Sequence, residues 1–516
     1  MLLGRAAMIF VSVLMVITRI VSLLQGVDPW IDEAMLVRNL PVADGDITKA
    51  MPFYDQAGPL GYVWLASKIA TYSSAYPLAA LRGLSALASL GAAWCLYLAM
   101  RVLTLQRAAP LAIALGFLTF VPLTYAIEIK HYGIEVGATA LLCAAGARIA
   151  VAPSLRSSAS LLAAMIAAIL FSFSAPVVIA CVFVGVGTMR YRAALQHSAR
   201  EVAIVGFPFV VAAIAFLLLY LIYTKPVTAY QFQAYRLLYG AGIADFNISS
   251  IEDVKIWIRF PRLLFAPYAP TPGLVPETII GILLCIAFPF AWRSNRFFPT
   301  CFLAACVTVY ALNVAGLLPF RDVRHFLFLV PLTVVVLADG LWGALGFVER
   351  RGKLRFPLAA ATLSGAAVLI AASGLYVARH QERAQVSPLI ATYRQQGRGE
   401  PLWVYPMAQP AVQLLAPDLK FLGLLPFRTS TQDWTRIIWS QDAQRRGLYE
   451  YDPAYTDVFA DDIRRLSAGW LVFAHAGPAV PGILVRRAAD LGFTCALKQR
   501  DVDTALYRCS RAGRAR

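Results

Sequence analysis

Apolar runs of about 20 residues, separated by polar connections, follow one another through the first three quarters of the chain. As helices, such runs cross the roughly 30 Å hydrocarbon core of a bilayer, because each residue adds about 1.5 Å. The pattern therefore predicts a mainly α-helical, polytopic membrane protein with about eleven transmembrane helices. They are Ala6–Leu24, Leu78–Leu103, Pro110–Ile127, a fourth ending near Ala147, two half-length helices within Ala159–Met189, Glu201–Tyr223, Gly273–Ala291, Pro299–Leu317, His325–Phe347 and Phe356–Val377.

The two half-length helices are predicted because SFSAP, from Ser172 to Pro176, interrupts the apolar stretch. A hinge at Pro176 returns the chain to the side that carries most of the basic connections. These connections hold Arg101, Arg107, Arg148, Arg156, Arg190, Arg192, Arg200 and the cluster ERRGKLR (349–355). Since basic connections mark the cytoplasmic side, the amino terminus is predicted inside and the carboxy-terminal region outside. The first run precedes no small-residue cleavage site, so we expect it to be retained as a span.

Composition agrees with this interpretation. Hydrophobic residues make up 59% of the 516 residues and charged residues only 15%, and the mean hydropathy is +0.64. Soluble domains contain about 25% charged residues. The formal net charge of +17 could in another context indicate nucleic-acid binding. Here the excess arginine lies in the connections between apolar runs, where it orients the protein, so no nucleic-acid partner is expected.

Two regions outside the spans are long enough to have structure of their own. The first outer loop contains Gly58–Tyr72, an aromatic and apolar segment with Lys68, which is typical of an interfacial helix. The second outer loop runs from Thr224 to Pro272. From residue 378 to residue 516, short apolar runs alternate with charged, helix-like stretches, which predicts a small α/β domain. We therefore expect a membrane domain at 1–377 and an extracytoplasmic domain at 378–516.

Eight cysteines are present, and six of them lie in apolar runs, where they act as small hydrophobic residues. Cys495 and Cys509 lie instead in GFTCALKQ and TALYRCS, which resemble the two arms of a hairpin. A disulfide between them would fit an oxidising compartment. No Cys/His spacing indicates a zinc site.

The first candidate for chemistry is the acidic group Asp28, Asp32 and Glu33, directly after the first span. Carboxylates near a membrane are costly to desolvate, so they need a partner or a function. Asp32 could act as a general base toward an acceptor hydroxyl, with Glu33 beside it, or the acids could hold a metal. The alternative is structural, because acids cap and favour the first turn of a helix.

A second group, Glu128, Lys130, His131, Tyr132 and Glu135, lies between the third and fourth spans. Lys130 and His131 could bind a phosphate, and Glu135 reaches into the fourth span, where a carboxylate usually faces a cavity. An interfacial turn with an internal Lys–Glu pair would explain the same residues without any catalytic role.

A third group, in FRDVRHF, begins the tenth span. Arg321, Arg324 and His325 are three and four residues apart, so in an α-helix they would share one face. Guanidinium groups at a membrane surface suit bidentate phosphate binding. Arg262, with Arg259 beside it, could add to this positive site. The alternatives are contact with lipid headgroups or an ion pair with Asp322.

These motifs, in this order, resemble those of the GT-C superfamily of integral-membrane glycosyltransferases, in particular the protein O-mannosyltransferase and aminoarabinose-transferase type. The resemblance rests on the Asp32–Glu33 pair, FYDQAGPLGYVWL, KHYGIEV, and RDVRHF ahead of Pro331. The chain departs from the family at Gly58, where relatives have proline, at Gln56, where relatives often have an acid, and at Glu135, where many have aspartate.

The resemblance implies an inverting transferase that takes a sugar from a polyprenyl-phosphate donor on the periplasmic face of the bacterial inner membrane. It implies Asp32 as the base, with Glu33 and Glu135 orienting the acceptor or the base, or holding a divalent cation. Arg321, Arg324, His325, Lys130, His131 and Arg262 would bind the donor phosphate. The competing classes are a transporter or lipid flippase, which would carry a repeated half and charges at mid-membrane, and a non-catalytic glycan-binding membrane protein.

Overall fold

The computed structural model describes residues 2–45, 57–73, 76–194, 199–228, 261–268, 274–318, 320, 323–351, 374, 385–397, 399–423, 453–476, 480–501 and 503–511. Its helices in the amino-terminal half are α1 Leu2–Leu24, α2 Ile31–Gly45, α3 Leu60–Tyr72, α4 Pro77–Val102, α5 Ala109–Phe117, α6 Phe120–Tyr125, α7 Tyr132–Val151, α8 Leu155–Phe171, α9 Ala175–Ala194 and α10 Ala199–Leu219. Later helices are α11 Leu274–Ser294, α12 Phe297–Val314, α13 Val330–Arg351, α14 Ser387–Gln396, α15 Gln409–Leu415, α16 Pro453–Arg464 and α17 Val480–Asp490.

The predicted polytopic helical fold is confirmed. Seven helices within the described ranges are long and apolar enough to cross a membrane, and α8 and α9 are shorter apolar helices. The seven begin at Arg5, Pro77, Tyr132, Ala199, Glu277, Phe297 and Val323. The eleventh predicted span, Phe356–Val377, lies outside the described residues apart from Gly374, so the count of eleven is not confirmed.

Apolar side chains on the outside of α1 and α10 indicate which solvent these helices face. Phe10 is 64% exposed and Ile222, just beyond α10, is 70% exposed. In each of these two spans, only 17% of the most apolar 18-residue stretch is buried within the protein. Exposed apolar area on this scale is unfavourable in water but matches lipid tails, so both helices carry a lipid-facing surface.

The third predicted span, Pro110–Ile127, is not one continuous helix. It divides into α5 and α6, with Leu118 and Thr119 between them. The carbonyl oxygen of Phe117, at the end of α5, accepts a 2.8 Å hydrogen bond from Arg19, which is 2% exposed and also donates to Ser89. The Thr119 hydroxyl donates to the carbonyl of Leu115. Side chains thus satisfy backbone groups that the break releases, which a pattern of apolar residues does not reveal.

Two further breaks shape the membrane helices. The predicted helix pair at Ala159–Met189 is confirmed as α8 and α9, but each is longer than half-length. Pro176 lies in the first turn of α9, just after the break between the two helices. The tenth span begins with a 3-10 segment, Val323–Leu329, and α13 follows from Val330. Pro331 has no N–H to donate to the preceding turn, so an α-helix starts there more readily than it continues through.

The chain folds as two compact units. The first comprises Met1–Gln25, Gly58–Pro226 and Tyr239–Arg379, and the second Gly26–Ala57, Val227–Leu238 and His380–Arg516. The predicted boundary at residue 378 lies close to the last division, but the second unit also takes in the acidic segment that follows the first span. In the first unit, small and aliphatic side chains of α4, α5, α7, α9, α12 and α13 build one continuous core.

The second unit contains a sheet, as predicted from its short apolar runs. Its described strands are β1 Leu402–Val404, β2 Ala468–Ala474, β3 Phe493–Asp501 and β4 Thr504–Arg511, in the order β1-β2-β4-β3. β1 and β2 are parallel, and β4 is antiparallel to both of its neighbours. The predicted hairpin is confirmed as β3 and β4, and Cys495 pairs with Cys509 in register and is joined to it by a disulfide.

Candidate functional site

The second and third groups of predicted site residues come together in the first unit. Lys130 and His131 precede α7, and Arg324 and His325 lie in the 3-10 segment before α13. The positive charges of Lys130, His325 and Arg324 all act on His131. We refer to Lys130, His131, Arg324 and His325 as the cationic cluster. Segments about 190 residues apart in sequence thus bring four basic side chains to one place.

Aromatic rings surround the cationic cluster. The guanidinium carbon of Arg324 lies 5.9 Å from the centre of the Tyr132 ring, and the His325 ring lies 6.3 Å from it, edge to face. The His131 ring lies 4.6 Å from Tyr132, 5.5 Å from Phe173 and 6.0 Å from Tyr62. An aromatic face attracts a cation within about 6 Å, so Tyr132 stabilises the guanidinium without neutralising its charge.

His131 contributes differently from the other three members. It is 8% exposed, and burial lowers its pKa to about 3, with the charges of Lys130, His325 and Arg324 acting in the same direction. The imidazole is therefore neutral at pH 7 and can donate one hydrogen bond instead of carrying a charge. Lys130, which is 5% exposed, Arg324 and His325 are the members whose charges act on His131.

Close backbone packing holds the turn that carries Lys130 and His131. A Cβ atom added to Gly133 would lie 3.0 Å from the carbonyl oxygen of Tyr125, at the end of α6. The Ser85 hydroxyl, on α4, donates a 2.7 Å hydrogen bond to the carbonyl of Glu128. These contacts restrict the segment between α6 and α7, so the two cationic residues occupy a defined position.

Glu135, predicted as a catalytic residue, has hydrogen-bond partners at the break between α8 and α9. Its Oε1 accepts a 3.0 Å bond from the Phe173 N–H, and its carboxylate also accepts from the Ser174 N–H and the Ser172 hydroxyl. His131 Nε2 lies 4.0 Å from the same Oε1. Glu135 therefore accepts hydrogen bonds from N–H groups that precede α9 and have no acceptor within that helix. Its catalytic role stays a prediction.

The remaining predicted cations are placed as follows. Arg262 donates from Nε to Oε2 of Glu277 at 2.7 Å, and Glu277 is buried, so this guanidinium already pairs with an anion. To contact a donor phosphate as predicted, the Arg262 guanidinium would have to bind both the phosphate and Glu277. Arg321 and Arg259 lie outside the described residues. From Val323 to Leu329 the chain forms a 3-10 helix instead of the α-helix predicted there. The face that Arg321, Arg324 and His325 would share stays a prediction, because Arg321 lies outside the described residues.

The acidic group belongs to the second unit. Asp28 is 6% exposed, and its carboxylate accepts 2.6 Å hydrogen bonds from the N–H groups of Val386 and Ser387 and from the Ser387 hydroxyl. Val386 occupies the N-cap position of α14 and has no side-chain acceptor to offer. Asp28 thus caps a helix that begins 359 residues further along the chain.

Glu33 and Asp32 both lie in the first turn of α2. Glu33 is fully buried, and its Oε2 accepts a 2.7 Å bond from the Trp30 N–H, as in the second half of a capping box. These bonds fit the structural alternative for Asp28 and Glu33, and the catalytic role of Glu33 stays a prediction. Asp32 is the acid of this group that is only partly buried. Within the described residues, no cluster of three or more His, Cys, Asp or Glu side chains could hold a metal ion.

No family model and no curated protein matches the sequence. Solved structures do match. ArnT from Cupriavidus metallidurans in the apo state gives a TM-score of 0.54 at 14% identity, and the match covers 97% of both chains. ArnT from the same organism bound to undecaprenyl phosphate gives 0.55, again with 14% identity and 97% coverage of both chains.

This chain has the fold of ArnT. The shared fold confirms the polytopic architecture that the resemblance drawn from the sequence motifs implied. A weaker match, with a TM-score of 0.48 and 11% identity, is to the oligosaccharyltransferase of Archaeoglobus fulgidus in complex with Zn and sulfate, over 90% of this chain and 67% of that one. At these identities the likeness to ArnT concerns the fold, and the chemistry has to be argued from the residues.

Sequence reasoning missed the aromatic part of the site. Tyr132 was recognised as one of several polar residues, but not as the ring that receives Arg324. Phe173 lies in SFSAP, which was interpreted only as a helix break. Tyr62 lies in the predicted interfacial helix, now α3. The available signal was the concentration of aromatic residues next to each basic motif.

Proposed function

We propose that the protein is an inverting glycosyltransferase that moves a sugar from a polyprenyl-phosphate donor to an acceptor of the cell envelope. The cationic cluster is the observation that carries this proposal. When the donor reacts, negative charge develops on the departing lipid phosphate. Lys130 and Arg324 would stabilise that charge, and His131 and His325 would donate hydrogen bonds, in a site where burial strengthens electrostatic interactions.

The comparison with ArnT supports the choice of donor. One of the two matched ArnT structures is bound to undecaprenyl phosphate. A chain with the same fold over 97% of its length offers the same type of membrane-embedded framework for a lipid phosphate. The Tyr132 ring suits this role, because it stabilises the Arg324 guanidinium without neutralising its positive charge.

The proposed reaction is a single displacement. The acceptor hydroxyl oxygen attacks the anomeric carbon, the bond from that carbon to the phosphate oxygen breaks, and polyprenyl phosphate leaves with the electron pair. Asp32 takes the proton from the hydroxyl. One base is enough, because a retaining reaction would need a second, nucleophilic carboxylate. Partial exposure supports Asp32 as the acid that meets an acceptor, since Asp28 and Glu33 are buried and bind backbone N–H groups.

Glu33 and Glu135 are proposed to orient the acceptor or Asp32, or to hold a divalent cation. Arg262 and Arg321 are proposed to extend the phosphate site. The acceptor is a lipid, glycan or protein. We place the protein in the bacterial inner membrane, with the active site and residues 378–516 on the periplasmic side. The disulfide between Cys495 and Cys509 supports this placement, because such bonds persist in oxidising compartments.

Two measurements test the proposal. Mass spectrometry of envelope glycans, with and without the protein, should identify a missing product and so name sugar and acceptor. The purified protein in nanodiscs should then release polyprenyl phosphate from the corresponding donor. Asp32→Asn keeps the shape of the side chain but removes the base, so kcat should fall about 10³-fold while donor binding persists.

Asp490→Asn is the control, because Asp490 is an exposed acid of the same unit at the end of α17. It should keep wild-type turnover. Identical envelope glycans in both strains, or full turnover by Asp32→Asn, would contradict the proposal. Movement of the lipid donor across the bilayer without sugar transfer would favour the flippase class instead.

A further inference from the structure

We infer that Asp28 is a positioning residue for the proposed sugar transfer, because it anchors the segment that leads into α2, which carries Asp32, to the start of α14 in the second unit. The inference rests on the proposed function and extends it to a residue that does not touch substrate. It follows from the contacts of Asp28, Trp30 and Ala34, all of which lie within the second unit.

The carboxylate of Asp28 accepts three hydrogen bonds. Oδ2 accepts from the N–H groups of Val386 and Ser387, and Oδ1 accepts from the Ser387 hydroxyl, each at 2.6 Å. In return, the Asp28 N–H donates to the side-chain oxygen of Gln385 at 3.3 Å. N–H groups at the start of a helix lack partners within that helix, and a carboxylate there gains from the helix dipole as well. Burial of Asp28 strengthens these charge-assisted bonds.

Only Pro29 and Trp30 separate Asp28 from the first residue of α2. The Trp30 ring meets His475, at the end of β2, edge to face with the ring centres 4.6 Å apart. One turn later, Ala34 is fully buried in the core that Trp403, Val472 and other residues of the second unit form. Asp32 lies between Trp30 and Ala34, so these contacts within the second unit restrain the backbone that carries its carboxylate.

A general base works only within hydrogen-bond reach of the proton it removes. A displacement of about 1 Å at a reacting group can cost about 10²-fold in rate. Loss of the Asp28 anchor should therefore lower kcat and leave donor recognition intact, since the cationic cluster belongs to the first unit. A residue needed merely for folding would instead reduce the amount of active protein and leave kcat per active molecule and KM unchanged.

The test compares Asp28→Ala, Asp28→Asn and Ser387→Ala with the wild type in the full-length protein in nanodiscs. Asp28→Ala removes the three bonds of the carboxylate and should lower kcat about 10- to 100-fold, with the KM for the donor unchanged. Asp28→Asn keeps one acceptor oxygen but places an NH2 group near N–H donors, so its kcat should lie between those of Asp28→Ala and the wild type. Ser387→Ala removes one bond and should lower kcat about threefold.

Asp418→Asn is the matched control. Asp418 also binds a side chain of α14, that of Arg394, at 2.6 Å, but Asp418 is 66% exposed, and Arg394 lies in the last turn of α14, away from Ser387. It should leave kcat unchanged. Hydrogen exchange provides the second readout, and Asp28→Ala should speed exchange in residues 30–34 and 386–390 while β2 and β4 stay protected.

The outcomes separate the two proposals. If the wild type transfers no sugar, the proposed function fails. If the wild type is active and Asp28→Ala keeps full kcat, the inference about Asp28 is overturned. If Asp28→Ala unfolds the second unit, Ser387→Ala decides, because it keeps the carboxylate. A wild-type kcat for Ser387→Ala in that case also overturns the inference.

Discussion

Charged side chains are held in opposite ways in the two units. In the second unit, Asp28 and Glu33 are buried acids whose oxygens accept from backbone N–H groups at helix starts. In the cationic cluster of the first unit, Arg324 lies over the ring of Tyr132, and His131 lies among three aromatic rings. The acidic run thus mostly builds structure, whereas the basic motifs gather into a positive site.

The difference has a physical origin. The N–H groups that open a helix need acceptors, and a carboxylate supplies them at no loss of hydrogen bonding. A cation cannot serve there, and next to an aromatic face it keeps its charge available for an anion. Glu135 follows the rule of the acids although it lies in the first unit, because it binds the N–H groups that precede α9.

The largest effect is expected from Arg324→Met. This substitution removes a charge of the cationic cluster and keeps most of the side-chain volume. The value of kcat/KM for a polyprenyl-phosphate donor should fall about 10²- to 10³-fold. Arg156→Met, at an exposed position in the first turn of α8, is the control and should behave as the wild type. Equal activity of the two variants would remove the basis for a phosphate site.

Removal of the disulfide tests how much the bond between β3 and β4 contributes to the stability of the second unit. A double replacement, Cys495→Ser with Cys509→Ser, opens a loop with a sequence separation of 14 residues. The second unit should lose about 3 kcal/mol of unfolding free energy. Thermal unfolding of the full chain, with and without reductant, measures this change. A double variant with the midpoint of the oxidised wild type would show that the bond adds nothing to stability.

Glu135→Gln tests whether the acid in the first unit is mainly structural. An amide group cannot accept from the Phe173 N–H, the Ser174 N–H and the Ser172 hydroxyl together, so about 2 kcal/mol of stability should be lost. Ser160→Ala is the control, since its hydroxyl is exposed and bonds only to its own helix. A Gln variant that keeps wild-type stability but loses turnover as completely as Asp32→Asn would instead make Glu135 a catalytic residue.

The smallest effect concerns an ion pair within the sheet. Hydrogen bonds from Arg508 hold the pKa of Glu400 below its ordinary value, and the Trp470 indole donates to the same carboxylate at 2.7 Å. A carboxyl with a depressed pKa stabilises the fold above its unfolded pKa, and this contribution disappears as the pH falls through the folded pKa. Glu400→Gln should therefore cost about 1 kcal/mol at pH 7 and less at pH 3.

Chemical unfolding at the two pH values, followed for wild type and Glu400→Gln, measures that difference. Asp461→Asn gives the comparison for an exposed pair, because Asp461 and its partner Arg464 are both more than half exposed. Its effect should be smaller still at either pH. An equal loss of unfolding free energy in Glu400→Gln at pH 3 and at pH 7 would contradict the lowered pKa of Glu400.

Much of the architecture was predictable, because it depends on local sequence. Apolar runs of sufficient length became helices, and GFTCALKQ and TALYRCS became paired strands with the disulfide between them. The break between α5 and α6 was not predictable. It depends on Arg19, which reaches the carbonyl of Phe117 across 98 positions of sequence. Nor did residue spacing predict the 3-10 segment before Pro331.

The sequence by itself determined that this chain is a membrane protein, which residues could bind a phosphate, and that one of a few acids could be a base. Those conclusions rest on hydrophobicity, charge and residue type, which are properties of the chain alone. Only the tertiary structure decided which distant residues each acid and each cation contacts. Asp28 finds its partners at residues 386 and 387, and Lys130 and His131 meet Arg324 and His325, because folding brings distant backbone N–H groups and rings within hydrogen-bonding or ring-contact distance.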